Sequence, residues 1–391
     1  MSAIAWVDFD EAERERAQRL MQLFTEQDTR DELGLGAIRD SISDHLFPGT
    51  STIQTRLRYM LFIPWIFSGL HGRRDTREIV AQARVDQIRL RDALVAGKQN
   101  NGVIGVNAGP KLKRLPASVY WSGLGNWGIR RFPGSIEAYI ASLPAWRNVP
   151  AKDHPNDDHG AGGRAVSAWH SRLPDPPTDL LKITTFELED HEAAFIVDRL
   201  VDSNPDSLLA FLAGRGDRAD ADDVWTHPHL ADFPGRVRRL ILHAEIFSEA
   251  MHGASLLYNL LLSELRNNEQ WVDRYEGQLD RWREAFDAAR LRNWSLDDFW
   301  AEIRHPAHQI LEPTRRFVTQ WVDLLRTRRG LARGRAQADG AIVTRERRLK
   351  GPQSRFANRA ARDRWQGSSG AYRLQFRWPQ ARRHLQDLAR G

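Results

Sequence analysis

Two Glu-x-x-His pairs, Glu249-Ala-Met-His252 and Glu302-Ile-Arg-His305, place a carboxylate and an imidazole three residues apart, a spacing that sets both groups on one helix face. In di-iron bundles two such pairs combine with a glutamate from each of two further helices. These four residues are therefore where metal-dependent chemistry would be sought first. Chance spacing among 13 His and 19 Glu is a sufficient source for them. The chain has no Cys, which removes disulfides, thiolate nucleophiles and cysteine metal ligands. His227-Pro-His229, His154 with His159, and His305 with His308 fall short of a zinc pattern without Cys or His-Glu-x-x-His. Gly-x-Ser-x-Gly, Ser-x-x-Lys and the phosphate-cradling Gly-x4-Gly-Lys-Ser/Thr do not occur. The sequence thus assigns no catalytic residue, no metal ligand and no cofactor.

The clearer chemistry is cationic. From Arg326 to Gly391 there are 18 Lys and Arg against four acids, near +14, while the other 39 basic and 47 acidic residues leave the rest near −8. A sign asymmetry of this kind points to a polyanionic partner for the basic part. Arg345, Arg347, Arg348 and Lys350, then Arg355, Arg359 and Trp365, follow one another at helical spacing, so a helix would carry the cations along one exposed face. Arg373 and Arg377 interleave with Tyr372, Phe376 and Trp378. In such a surface guanidinium groups neutralise phosphates, and the rings stack on bases or pack inward. A second candidate is Thr50-Ser-Thr-Ile-Gln-Thr-Arg-Leu-Arg58, which offers Arg56 and Arg58 at a helix start as a major-groove recognition helix does. The same residue types are also ordinary helix caps. Basic tails equally bind acidic proteins, the acidic part of their own chain included.

The elements that must position these groups read as helices. Asp8 or Asp10 can cap a helix from Glu11 to Phe24, and a short one follows from Ala37 to Leu46. Thr50 or Ser51 can cap a longer helix in which Pro64 implies a kink, or a break at Ile63. Asp75 or Thr76 opens a helix to about Ala96, and shorter ones are expected over Ala117 to Leu124 and Ser135 to Leu143. Lys182 to Leu188, with β-branched and aromatic residues in alternation, is the best strand candidate. The pattern is helical from Asp190 onward and most regular from Arg236 to Arg266. Further helices are expected over Gln270 to Ala289, from Asn293 or Ser295 to Ile303, and from Pro306 or Pro313 to Arg328. The expected fold class is mainly α, with at most a small β element. Its expected parts are a helical domain over 1–147 with a helix-turn-helix-like portion, a Pro/Gly/Asp-rich linker over 148–180, a larger helical domain over 181–328, and a basic Arg/Trp-rich region over 329–391.

The longest apolar run, Tyr59 to Leu70, is shorter than the roughly 20 residues that span a bilayer. The N-terminus carries no cationic segment followed by an apolar core, so a cytoplasmic protein without membrane contact is expected. Gln27 to Asp40, Phe47 to Tyr59, Tyr120-Trp-Ser-Gly-Leu124, Met251-His-Gly-Ala-Ser-Leu-Leu-Tyr-Asn259 and Trp365-x-Gly-Ser-Ser-Gly370 resemble a bacterial family known as a domain of unknown function. That resemblance brings no catalytic residues with it. It implies an association with restriction and phage-defence gene neighbourhoods, where a helicase or nuclease is a companion. The reading that results is a non-enzymatic nucleic-acid-binding subunit, for DNA in the first place, in an anti-phage assembly. One alternative is a scaffold whose basic tail docks on an acidic protein. The other is an enzyme of unrecognised type, with Glu249, His252, Glu302 and His305 as the first positions to inspect.

Overall fold

The computed structural model describes residues 31–71, 73, 75–106, 112, 114–148, 168–217, 220–327 and 335–390. The helix expected from Glu11 to Phe24 and residues 149–167 of the linker lie outside them. Among the described residues there are fifteen α-helices and no strand, so the fold is mainly α. They are α1 (Gly36–Leu46), α2 (Tyr59–Ser68), α3 (Thr76–Ala96), α4 (Pro116–Asn126), α5 (Ile136–Ser142), α6 (Asp190–Ser203), α7 (Leu208–Gly214) and α8 (Gly235–Leu265). The series continues with α9 (Glu269–Ala285), α10 (Ala288–Arg292), α11 (Leu296–Glu302), α12 (Glu312–Arg326), α13 (Arg335–Lys350), α14 (Arg359–Asp363) and α15 (Trp378–Leu388). No helix among the described residues is long and apolar enough to cross a membrane.

The chain divides into two compact units, each assembled from separated stretches. Residues 31–42 and 239–376 make the first; residues 43–238 and 377–390 make the second. The basic region expected over 329–391 thus contributes helices to both.

In the second unit α2 is apolar on every side and buried from Tyr59 to Phe67, as a helix hydrophobic all round must be. It runs unbroken through Pro64. Proline costs a helix interior about 3 kcal/mol, and burying the large side chains around it, at roughly 1.5–3 kcal/mol each, outweighs that. Two aromatic clusters surround the helix. Tyr59, Phe62, Tyr120 and Phe186 form one, and Phe67, Trp121, Tyr139 and Trp169 the other, with neighbouring ring centroids 5.2–6.3 Å apart.

The long helix expected to start at Thr50 or Ser51 begins only at Tyr59. The Thr50 hydroxyl donates to the Phe47 carbonyl instead of capping a helix. The strand expected over 182–188 is an extended segment without a partner strand. Its alternation is real, since Thr184, Phe186 and Leu188 are buried while Ile183 and Glu187 are exposed. Its backbone meets the end of α3, where the Thr184 N–H donates to Ala93 O at 3.1 Å. Gly97 permits that approach, because a Cβ there would lie 2.0 Å from Thr184 O. Helix α15 closes this unit. Trp378 is buried against Phe47 at 5.7 Å, and its indole N–H donates to Ala221 O at 3.0 Å.

In the first unit α8 and α9 lie side by side. Gly253 makes room for the Trp282 ring, which a Cβ would approach to 2.4 Å, and the Trp282 indole N–H donates to Glu249 O at 2.9 Å. A strap over 365–376, without helix or strand, runs along this pair in the direction opposite to α8. Tyr275 donates to Gly367 O at 2.7 Å, Asn259 holds Ser369, the His252 ring meets Ala371 O at 3.1 Å, and Ser248 donates to Leu374 O at 3.0 Å. Helix side chains thus supply partners that an extended backbone would otherwise find in a sheet.

Candidate nucleic-acid interface

Helix α13 carries four of the expected cations and divides them between core and solvent. Arg345 falls on the stripe of Ala338, Ala341 and Ile342, and all four are buried. Its Nε donates to Leu33 O at 2.8 Å, and its Nη2 to Gly34 O at 3.2 Å and to Thr314 Oγ1 at 2.8 Å. The Phe317 ring lies 5.4 Å from the guanidinium carbon, and burial draws the Arg345 pKa below its ordinary value. The common exposed face expected for Arg345, Arg347, Arg348 and Lys350 therefore does not form. Arg347 and Arg348 alone of the four are exposed.

Lys350 and Arg355 turn toward an acid more than three hundred residues away in sequence. Glu32, 6% exposed, accepts from Arg355 Nη1 at 2.7 Å, from Lys350 Nζ and from the Ser369 hydroxyl. Arg355 Nη1 also donates to the Tyr258 hydroxyl at 2.8 Å. Glu346 accepts from the Arg355 N–H at 2.8 Å and from the Ser354 hydroxyl, with Lys350 at 3.6 Å. Two cations and two carboxylates balance within this node, the condition under which buried charge is tolerated. Burial pushes the Tyr258 phenol up to about 12, against the opposing pull of Arg355.

The remaining candidates are also placed by the fold. Trp365 is 2% exposed and packs edge-on against Trp271 at 5.1 Å. Arg373 pairs with Glu249. In the second unit Arg377 pairs with Asp44 and donates to Thr50 O at 2.9 Å. Arg56 pairs with Asp387 at 2.7 Å, and Arg58 with Glu192 at 2.7 Å. A recognition helix opening with Arg56 and Arg58 is thereby ruled out, since both guanidinium groups are spent on acids of their own unit and precede the helix.

Among the described residues of the basic region within the first unit, the exposed cations are Arg347, Arg348, Arg359 and Arg364, and the Arg359 side chain is 88% exposed. Arg347 and Arg362 reach the carbonyls of adjacent residues, Phe356 at 3.4 Å and Arg355 at 3.0 Å, which draws the end of α13 and helix α14 to one loop. Residues 344–364 hold eight basic and two acidic side chains. Of the acids Glu346 is buried, and Asp363 is shared by Arg266 at 3.2 Å and Arg359 at 3.7 Å. Arg364 was readable from its spacing in the tail. The Glu32 hub was not, because charge counting does not reveal which acid a distant arginine meets.

The two Glu-x-x-His pairs do not converge. Glu249 is held by Arg373 and Glu302 by Arg239 at 3.8 Å. Arg239 and Glu249 are ten residues apart on α8, roughly 15 Å of rise. Burial lowers the His252 pKa to about 4, and its ring is engaged with Ala371 O. The His305 and His308 rings are neighbours, tilted by 34° with centroids 5.1 Å apart. In the second unit a cavity of ≈ 390 Å³ is lined by Arg215, Gly216, Asp217, Asp220, Pro228 and His229. Around it Asp217 lies 3.4 Å from His227, while Asp232 lies 3.8 Å from Arg215 and 3.7 Å from His229.

No curated protein and no solved structure matches this chain. A family model does match, over residues 1–391, and by that match the chain belongs to DUF6361, a family of unknown function.

Proposed function

We propose that this protein is a non-enzymatic nucleic-acid-binding subunit, for DNA in the first place, which holds the phosphate backbone through Arg347, Arg348, Arg359 and Arg364. The observation that carries this reading is the excess of exposed positive charge around α13 and α14. Four exposed guanidinium groups share that region with one exposed acid, Asp363, which lies between Arg266 and Arg359. Arginine is suited to that task because its planar fork donates two parallel hydrogen bonds to a phosphate. The setting we propose is a bacterial anti-phage assembly, in the cytoplasm, with a helicase or nuclease as companion.

Fluorescence anisotropy with labelled nucleic acid across a salt series tests it. Four phosphate contacts give a slope of log affinity against log salt of about −4 on duplex DNA. Replacing Arg347, Arg348, Arg359 and Arg364 by Ala should abolish binding while leaving the fold intact, since all four are exposed. Absence of binding by the intact chain at low salt would refute the reading and turn the search to an acidic protein docked on the same face. Truncation at Arg326 is no test of it, because it removes buried parts of both units.

A further inference from the structure

We infer that the arginine face selects duplex over single-stranded DNA, an inference that rests on the phosphate-binding reading above. Single-strand binders combine a basic groove with aromatic rings on which successive bases stack. Here the rings interleaved with the arginines are in the interior: Phe356 is 7% exposed, Trp365 2%, Phe376 1% and Trp378 1%. Three of them pack against another ring. Phe356 meets Tyr258 edge-on at 5.6 Å, Trp365 meets Trp271 at 5.1 Å, and Trp378 meets Phe47 at 5.7 Å.

Tyr372 is the exposed ring of the region, at 59%. In the strap it stands between Ala371, fixed at His252, and Arg373, paired with Glu249. One isolated ring offers no platform for consecutive bases. A face of guanidinium groups alone responds to charge density, and a duplex carries one phosphate per roughly 1.7 Å of axis against one per 3.4 Å along each strand. With these guanidinium groups on phosphates rather than base edges, binding is indifferent to sequence.

The experiment compares a short DNA duplex with each of its separated strands, by anisotropy across salt, for the full chain and for Arg348→Ala/Arg364→Ala and Tyr372→Ala variants. The expected result is duplex affinity about tenfold or more above either strand, with the salt slope reduced by about 2 in the double arginine variant and unchanged in Tyr372→Ala. Strands bound as tightly as the duplex, or weakened by Tyr372→Ala, would overturn the duplex inference and leave phosphate binding standing. Binding that ignores the arginine substitutions, or fails for every probe, would remove the phosphate-binding reading itself.

Discussion

Asn259 and Ser369 hold each other through a reciprocal pair of hydrogen bonds. The Asn259 side-chain amide donates to the Ser369 carbonyl at 2.9 Å, and the Ser369 N–H donates back to Asn259 Oδ1 at 2.9 Å. Asn259 is 0% and Ser369 1% exposed, so water replaces neither bond. Asn259→Ala should cost about 2–4 kcal/mol by orphaning both backbone groups, read as a lower urea midpoint. An unchanged midpoint would mean that the strap is not fastened there.

Glu32 binds two cations, and loss of its charge leaves them facing each other. Glu32→Gln should destabilise the protein by about 3 kcal/mol, as does removal of one partner from a buried charge group. Arg348→Ala, on the exposed side of α13 two residues before Lys350, should stay within about 0.5 kcal/mol. Equal effects of the two in thermal unfolding would contradict the node.

Arg56 is an internal counter-ion for Asp387, whose carboxylate also accepts the Leu57 N–H at 2.9 Å. Arg56→Ala should therefore lower stability by about 3 kcal/mol and leave nucleic-acid affinity untouched at temperatures where the variant is folded. A loss of affinity in the folded variant would return Arg56 to the interface.

His384 is 1% exposed, neither ring nitrogen has a partner, and burial lowers its pKa from 6.5 to about 4, with Asp387 opposing and Arg383 and Arg56 assisting. The folded state thus binds this proton less readily than the unfolded chain does. Stability from this group is complete above pH 6.5 and falls as the pH drops toward 4, at up to about 1.4 kcal/mol per unit. His384→Leu should flatten that acid limb in urea titrations between these limits. An acid limb of undiminished steepness would assign it to other groups.

Much of the helical frame was legible because its signals are local. The apolar period of α8, the caps at Asp75, Ser135 and Ser295, and the position of α12 follow from side chains within a few residues of each other. Thr184, Phe186 and Leu188 misled because alternation reports which side is buried, not whether a second strand exists. Of the two outcomes read from Pro64, the break at Ile63 does not occur, because the proline penalty is a local term and the burial of α2 is not. The tail was read by its charge, and charge has long range. Whether Arg345 faces water or the Leu33 carbonyl is decided by helix phase and by a loop more than three hundred residues earlier in the sequence. The motifs Met251 to Asn259 and Trp365 to Gly370 prove to be two sides of one contact, with Glu32 joining it from the N-terminal motif.

The order of chain segments has a consequence for biosynthesis. Domains ordinarily fold as they leave the ribosome, N-terminal first. Here residues 43–238 wait for α15, and residues 31–42 wait for 239–376, so neither core is complete until the distant later segment of its own unit has been made. A nascent chain stalled before Trp378 would present Phe47 without its cover, a state that chaperones rather than folding would have to manage.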